Sequence, residues 1–388
     1  MNEEKMYFLI GKKCFFNRFC DGHFRSKWNG LWSLHTKFLE YYAIKVNDFW
    51  LPSKQTILEE NLESVKHYYE LDGIKIEETL FVPEDKGVLV VILKFFNETE
   101  ETKNVNLLLE TAINIRDWDE NYHERDYEIV YKRNSFVVKS EKGSLAFASS
   151  KEGEFEGYHF YKVHYPSNEA QRCFVAKNFV SNFLLYPKES EKIVFVFSCN
   201  LTDSIEIENV LKNAEELLEE KRRIYQTILE ENLFSSEMKF LNELFKVAIL
   251  NLHKCSVNFN RKDVLIAGYP WFTQVWGRDV CLSVSNFVLD EESKNSLILL
   301  AQNEKEGKIP NFISKKGIDY NSSDSTPLFL IAFRNYILKT GKIFFVEEYK
   351  ELLLKILEFY EKNKNEDGFI KSEKNSTWLD TLEREGYC

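Results

Sequence analysis

Residues 205–232, IEIENVLKNAEELLEEKRRIYQTILEEN, separate two kinds of sequence. Val210, Leu211, Ala214, Leu217, Leu218, Ile224 and Ile228, with the aliphatic stem of Lys221, fall on one helical stripe, and Glu, Lys and Arg fill the opposite face. This predicts a linker helix within residues 201–235. Upstream the hydrophobic period is two, as in IKIEETLFV at 74–82 and VNLLLE at 105–110, the pattern of half-buried antiparallel strands. Two runs, Val88 to Phe96 and Ile193 to Ser198, are almost continuously apolar, as strands covered on both faces would be. Turn residues 97–100 (NETE) and 187–190 (PKES) flank them. Residues 1–200 are therefore expected to form an antiparallel β-sandwich.

Downstream the pattern is helical, over Met238 to Leu252, Val280 to Val288, Glu292 to Gln302, Pro327 to Lys339 and Phe344 to Asn363. Thr326 followed by Pro327 predicts an N-cap and first helical position, and Thr340-Gly341 a stop. Two connections are long, Asn258 to Asp279 and Gly307 to Ser325, and they carry the aromatic, Asn and Asp residues. In a ring of paired helices such loops collect at one mouth, where a site can be built without disturbing the packed wall.

A formal charge of -11 disfavours nucleic acid and anionic membranes as partners, because both require clustered Lys and Arg. The start MNEEK leads into no apolar core of signal-peptide length, and no apolar run approaches the roughly 20 residues of a spanning helix. The expected location is the cytoplasm. Seven cysteines are scattered and never spaced Cys-x-x-Cys, the seven histidines form no ligand pair, and no glycine-rich phosphate loop occurs. Reduced thiols are expected, and neither metal nor cofactor.

Three segments carry the chemistry. The first, WFTQVWGRD at 271–279, sets Trp271 and Trp276 beside Arg278 and Asp279. Indole faces lie flat on the C–H face of a pyranose while a guanidinium and a carboxylate bind its hydroxyls; a buried Trp cluster beside a surface ion pair fits the same residues. The second, GKIPN at 307–311 with Tyr320, Asn321 and Asp324 in YNSSD, has the residue types of a polar mouth and equally of turn and cap chemistry. The third, STWLD at 376–380, places Trp378 beside Asp380. Desolvation by the indole would keep that acid protonated for donation, although a helix-end Asp near a core Trp reads the same way.

The order WGRD, IPN with YNSSD, then TWLD, after a sandwich and linker helix, resembles the glucosidase part of glycogen debranching enzymes, particularly the shorter archaeal and bacterial kind. The resemblance implies that residues 236–388 open an (α/α)6 barrel, and that the activity is hydrolysis of the single glucose left at an α-1,6 branch point of glycogen or limit dextrin, with inversion. It casts Asp380 as general acid, with Asp324 as rival. Arg278 and Asp279 would hold hydroxyls of the departing glucose. Trp271, Trp276 and Trp378 would be stacking walls, and Tyr320 and Asn321 would line the same mouth. The segment RSKWNGLW at 25–32 sits where such sandwiches carry a signature and receives no chemistry.

Five barrel helices are legible where the toroid needs twelve, and the family's general base is a Glu from a late loop, so no residue here maps to it. The expectation is a truncated barrel with exposed apolar faces, a second chain completing the ring being an expected partner. A glucoamylase-like α-1,4-glucosidase and a non-catalytic glucan-binding fragment remain as alternatives.

Overall fold

The computed structural model of the protein describes residues 5–120, 127–159, 173–232, 234–286, 290–373, 375–377 and 386–387. Two compact units divide the chain, Met1–Ser235 and Ser236–Cys388.

The first unit holds two antiparallel sheets. Nine strands form one, its backbone running Met6–Ile10, Phe15–Phe19, Gly30–Ser33, Thr36–Val46, Lys103–Asp117, Asn178–Leu185 and Glu154–Glu156 in spatial order. The other has eight, with Ser190–Cys199, Val88–Asn97 and Ile74–Phe81 at its centre. Their inner faces share one core: Tyr42 stacks on Phe197 at 5.3 Å between ring centres and Phe147 meets Phe179 at 5.7 Å. The sandwich expected from the period-two pattern is present.

Helices α1 (Ser204–Lys212) and α2 (Ala214–Glu231) lie on the outer face of the eight-stranded sheet. There Val210, Ala214 and Leu218 pack on Val88, Val90, Ile92, Val194 and Val196, which is why those two strands are apolar on both sides. The single helix expected over 205–232 is broken at Asn213, whose φ of -107° and ψ of 22° lie outside helical values. Asp203 caps α1, accepting from the Ile205 and Glu206 amides. Lys221, in the predicted stripe, is buried and donates to the Ile10 and Val82 carbonyls at 2.5 Å, tying α2 to both sheets.

Inside the sandwich an ion pair bridges the sheets. The Arg18 guanidinium meets Glu78 at 2.6 Å, and the hydroxyls of Tyr42 and Tyr69 each donate to that carboxylate at 2.6 Å. Tyr7 accepts from Arg18 and also meets His67 Nε2 at 3.0 Å, while His67 Nδ1 donates to Gln55. A second buried cluster joins Lys37, Glu40 and Arg116. From it Lys37 Nζ donates to the Lys27 carbonyl at 2.9 Å, and Trp32 Nε1 to the Trp28 carbonyl, so the RSKWNGLW segment is pinned to its own sheet.

The second unit is mostly helical, with α3 (Lys239–Lys254), α4 (Gly277–Asn286), α5 (Asp290–Gln302), α6 (Ser325–Thr340), α7 (Phe344–Glu348) and α8 (Lys350–Asn363) among the described residues. Three expectations are corrected. Helix α6 starts at Ser325, one residue before the assigned cap, and Thr326 Oγ1 instead accepts from the Ile309 amide at 2.9 Å. Pro327 still fits, since the first-turn amides have no intrahelical partner. The segment Phe344 to Asn363 is two helices meeting at Tyr349, whose ring stacks on Phe345 while both pack on Phe333. The long loops contain strands: Ser256–Phe259 with Lys262–Leu265, and Val275–Trp276 with Phe312–Ser314 and Gly317–Asp319. Gly341, at φ 70°, ends α6 as expected.

Burial pushes the Glu78 carboxyl up, but Arg18 and the hydroxyl donors outweigh it and hold it at about 2; burial, with Arg18 nearby, lowers His67 to about 3. Both values lie below those of the unfolded chain, so the unfolded state binds protons first and stability falls as pH drops from about 6.5 towards 2. Denaturant titrations of the first unit's transition across that window are expected to show a monotonic loss on acidification. Glu78→Gln, which leaves Arg18 buried without its counter-charge, is expected to cost about 3–5 kcal/mol at neutral pH; a cost under about 1 kcal/mol would show that the pair is dispensable.

Candidate active site

Backbone pairing joins the first two sequence segments. Val275 and Trp276 pair with Ile313 and Phe312, and the Gly277 amide donates to the Asn311 carbonyl at 2.8 Å. Asn311 in turn donates from its amide to the Asp319 carbonyl and from Nδ2 to the Asp319 carboxylate at 2.7 Å. Gly277 has no room for a side chain: a Cβ there would lie 2.3 Å from the Pro310 carbonyl. This close approach starts α4 beside the start of α6.

The next residue uses that placement. Arg278 Nε lies 2.7 Å from Asp324 Oδ2, and Nη2 donates to Oδ1 at 3.4 Å. Ser322 Oγ donates to the same Oδ1 at 2.6 Å and lies 2.8 Å from Ser325 Oγ, so both carboxylate oxygens of Asp324 are engaged. Asp279 is half-buried, and burial pushes its carboxyl above the ordinary value against the pull of Arg278. Cys281, one turn behind, is buried and its thiol is likewise pushed up.

Aromatic rings gather on the same strands. Trp276 is half-buried, its indole donating to Gln274 at 3.2 Å, with Phe312 at 4.9 Å and Phe272 edge-on at 6.1 Å. Trp271 is half exposed. Phe272 and Phe312 escaped the sequence analysis because only Trp carried the sugar-stacking signal; Phe312 comes beside Trp276 through strand pairing, and Phe272 through the turn before it.

The third segment is stitched to the second through serines. The Ser323 amide donates to the Ser376 carbonyl at 2.7 Å, and the hydroxyls of Ser323, Ser372 and Ser376 lie within 3.3 Å of one another. Asn321 Nδ2 donates to the Asn375 carbonyl at 3.4 Å, and Tyr320 to the Asn303 carbonyl at 2.8 Å. Trp378 and Asp380 lie outside the described residues; Thr377 is the last one described before them. The structure thus joins Arg278 to Asp324, and Tyr320–Asp324 to Ser376.

Beside these loops lies a cavity of about 210 Å³ whose wall includes Tyr320, Asn321, Ser322, Tyr360 and Glu373. Tyr360 and Glu373 had no sequence signal, because nothing local places the end of α8 against the 320–324 loop. Among the described residues there is no cluster of His, Cys, Asp and Glu able to hold a metal, and no helix long and apolar enough to cross a membrane.

A β-sandwich followed by a helical unit whose polar and aromatic residues gather in its loops is an architecture seen in enzymes acting on glycosidic bonds. Two solved structures share it over 94% of this chain: a protein assigned as a kojibiose phosphorylase, from the human microbiome, at 12% identity and a TM-score of 0.64, and a bacterial glucoamylase in complex with acarbose, at 15% identity and 0.57. The chain spans 58% of the length of each. Residues 246–387 match the family described as amylo-alpha-1,6-glucosidase, the family that the three segments resemble. No curated protein matches the chain in sequence.

Gly277→Ala is expected to destabilise the second unit by about 1–3 kcal/mol, because the new methyl group must push the Pro310–Asn311 backbone away. A denaturation curve superimposable on wild type would show that α4 and the Ile309–Asn311 segment are free to separate.

Proposed function

We propose that this chain supplies part of an α-glucan debranching hydrolase, removing α-1,6-linked glucose at branch points by inversion. The observation that carries this is the match of residues 246–387 to the amylo-alpha-1,6-glucosidase family, a span that contains every residue assigned to the site. In this proposal residues 1–200 are the sandwich, 201–235 the connector, and 236–388 the first part of the barrel.

In an inverting glycosidase one carboxylic acid protonates the glycosidic oxygen while a carboxylate about 6.5–9.5 Å away activates water. Asp380 takes the first role. Asp324 suits positioning better than proton donation, because its oxygens already accept from Arg278 and Ser322. Arg278, locked at one edge by that pair, presents its remaining donors to sugar hydroxyls, and Asp279 accepts from them. Trp271, Trp276 and Trp378 furnish stacking faces, with Tyr320 and Asn321 at the rim. The general base comes from further helices, carried on a longer chain or a second one. Exposed Phe240, Leu244 and Val247, one stripe of α3, and exposed Leu354 and Leu357 on α8 favour such a completion.

Isomaltose, panose and maltose offered to the completed enzyme are expected to give glucose faster from the α-1,6 linkage, released as the β-anomer by NMR; preference for maltose would move the assignment to an α-1,4-glucosidase. Asp380→Asn is expected to lower turnover by at least 10³-fold with the fold intact, and an unchanged rate removes Asp380 as the acid. Arg278→Lys, which loses the planar fork, is expected to weaken glucose binding about tenfold in calorimetry; wild-type affinity would take Arg278 out of the site.

A further inference from the structure

Two thiols that the proposed chemistry does not use meet inside the sandwich. Cys14 lies between Met6–Ile10 and Phe15–Phe19 of the nine-stranded sheet, and Cys199 is the last residue of Ser190–Cys199 in the eight-stranded sheet. Both are buried, at 2% and 6% exposure, and both belong to the core that the two sheets share. Neither is in a disulfide in this structure.

The chain holds them to the same two residues. The Cys14 thiol donates to the Lys86 carbonyl at 3.8 Å, and the Cys199 amide donates to the Gly87 carbonyl at 2.8 Å. A Cβ at Gly87 would lie 3.0 Å from the Cys199 carbonyl and 3.7 Å from Lys13 Cβ, so residues 13–14, 86–87 and 199 converge on one point. The segment before Cys14 is fixed as well: the Gly11 amide donates to the Cys14 carbonyl at 3.0 Å and the Lys12 amide to the Glu84 carbonyl at 2.8 Å. Burial pushes the Cys199 thiol up, and the Cys14 thiol beside it adds to that shift. A buried free cysteine packs as a small hydrophobe, and its redox chemistry more than its packing decides what it contributes. A second thiol beside it supplies the resolving partner that a disulfide needs. Burial slows attack on the folded protein, so the bond forms as the chain folds or opens.

We infer that Cys14 and Cys199 form a disulfide between the two sheets when the chain meets a disulfide oxidant such as oxidised glutathione, and that this bond clamps the sandwich. One protein thiolate attacks the oxidant and expels one glutathione thiolate, leaving a mixed disulfide. The second protein thiolate then displaces the other glutathione. One S–S bond forms in the protein, its two S–H bonds are lost, and the oxidant takes up the two electrons and two protons as two thiols. The closed loop, from Cys14 to Cys199, takes in most of the sandwich, and closing so long a loop restricts the unfolded chain strongly.

The test is refolding of the full chain in a glutathione redox buffer, read by peptide mapping without reductant and by thermal melting. The expected result is a peptide linking Cys14 to Cys199, a mass lower by two hydrogens, and a melting temperature of the first unit raised by about 5 °C or more and restored by dithiothreitol. Cys14→Ser and Cys199→Ser are each expected to abolish the linked peptide and the oxidant-dependent rise. Refolded protein in which iodoacetamide alkylates both cysteines after denaturation overturns the disulfide. So does glutathione retained on either one as a stable mixed disulfide, or a link from either one to another cysteine. A Cys14–Cys199 peptide with an unchanged or lowered melting temperature overturns the clamp. If a serine variant fails to fold, the wild-type peptide map and its melting curves with and without dithiothreitol decide.

Discussion

The approach of Gly277 to the Pro310–Asn311 backbone is the constraint from which the candidate site follows. A side chain at 277 would part the two segments, and with them the pairing of Val275–Trp276 with Phe312–Ile313, directly after IPN. Because they meet, the Gly277 amide finds its acceptor, α4 begins at that residue, and Arg278 in its first turn faces Asp324 at the start of α6. The ion pair is partly exposed, with both side chains at 24%, and such pairs contribute little to stability. Its value is orientation: a guanidinium held at one edge keeps its other donors in a fixed plane, which a mobile one would have to order on each binding event.

The first unit solves a different problem with similar chemistry. Its core is large and aromatic, yet Arg18 and Glu78 sit within it at 3% and 1% exposure. Hydrophobic residues of equal volume would stabilise the sandwich at least as well, so the pair is better understood through its geometry. It fixes how Phe15–Phe19 packs over Ile74–Phe81 across the sandwich, and the Tyr42 hydroxyl, which accepts from Arg18 and donates to Glu78, makes both bonds only when the two sheets are seated. The Lys37–Glu40–Arg116 cluster acts within one sheet, where register shifts in the pairing of Thr36–Val46 with Lys103–Asp117 change which residues face each other. The RSKWNGLW segment is thereby given a structural task, pinned by Lys37 and Trp32.

Much of this was legible in the sequence where one periodicity governed. The sandwich, the double-sided apolar strands and the α1–α2 stripe all follow from spacing alone, and Gly341 ends its helix as its conformational freedom requires. What escaped were elements shorter than the period needed to see them. Val275–Trp276 and Phe312–Ser314 have two and three residues, so no alternation exists to read, and the Asn260–Arg261 turn uses positive φ at Arg261 where glycine would have announced a hairpin. Within the site the motifs named Arg278, Asp324, Tyr320 and Asn321 but not their partners. Ser322, Phe312 and Tyr360 matter through tertiary contact, and nothing in their local sequence sets them apart from turn or core residues.

The two carboxylates beside Arg278, Asp324 and Asp279, differ in what their surroundings let them do. Asp324 receives a guanidinium and a hydroxyl, which fix the direction of its oxygens. Asp279 stands one residue from Arg278 but half-buried, and the cost of burying its charge outweighs the attraction, so it holds a proton more readily than a free aspartate. One arginine therefore stands between an oriented acceptor and a carboxyl whose burial favours the neutral form. A sugar that brings hydroxyl donors to Asp279 would favour its charged form, as hydrogen bonds to a carboxylate do, so binding the ring would itself complete the acceptor set. The Ser323–Ser376 contacts tie residues 375–377 to the same loop that carries Asp324.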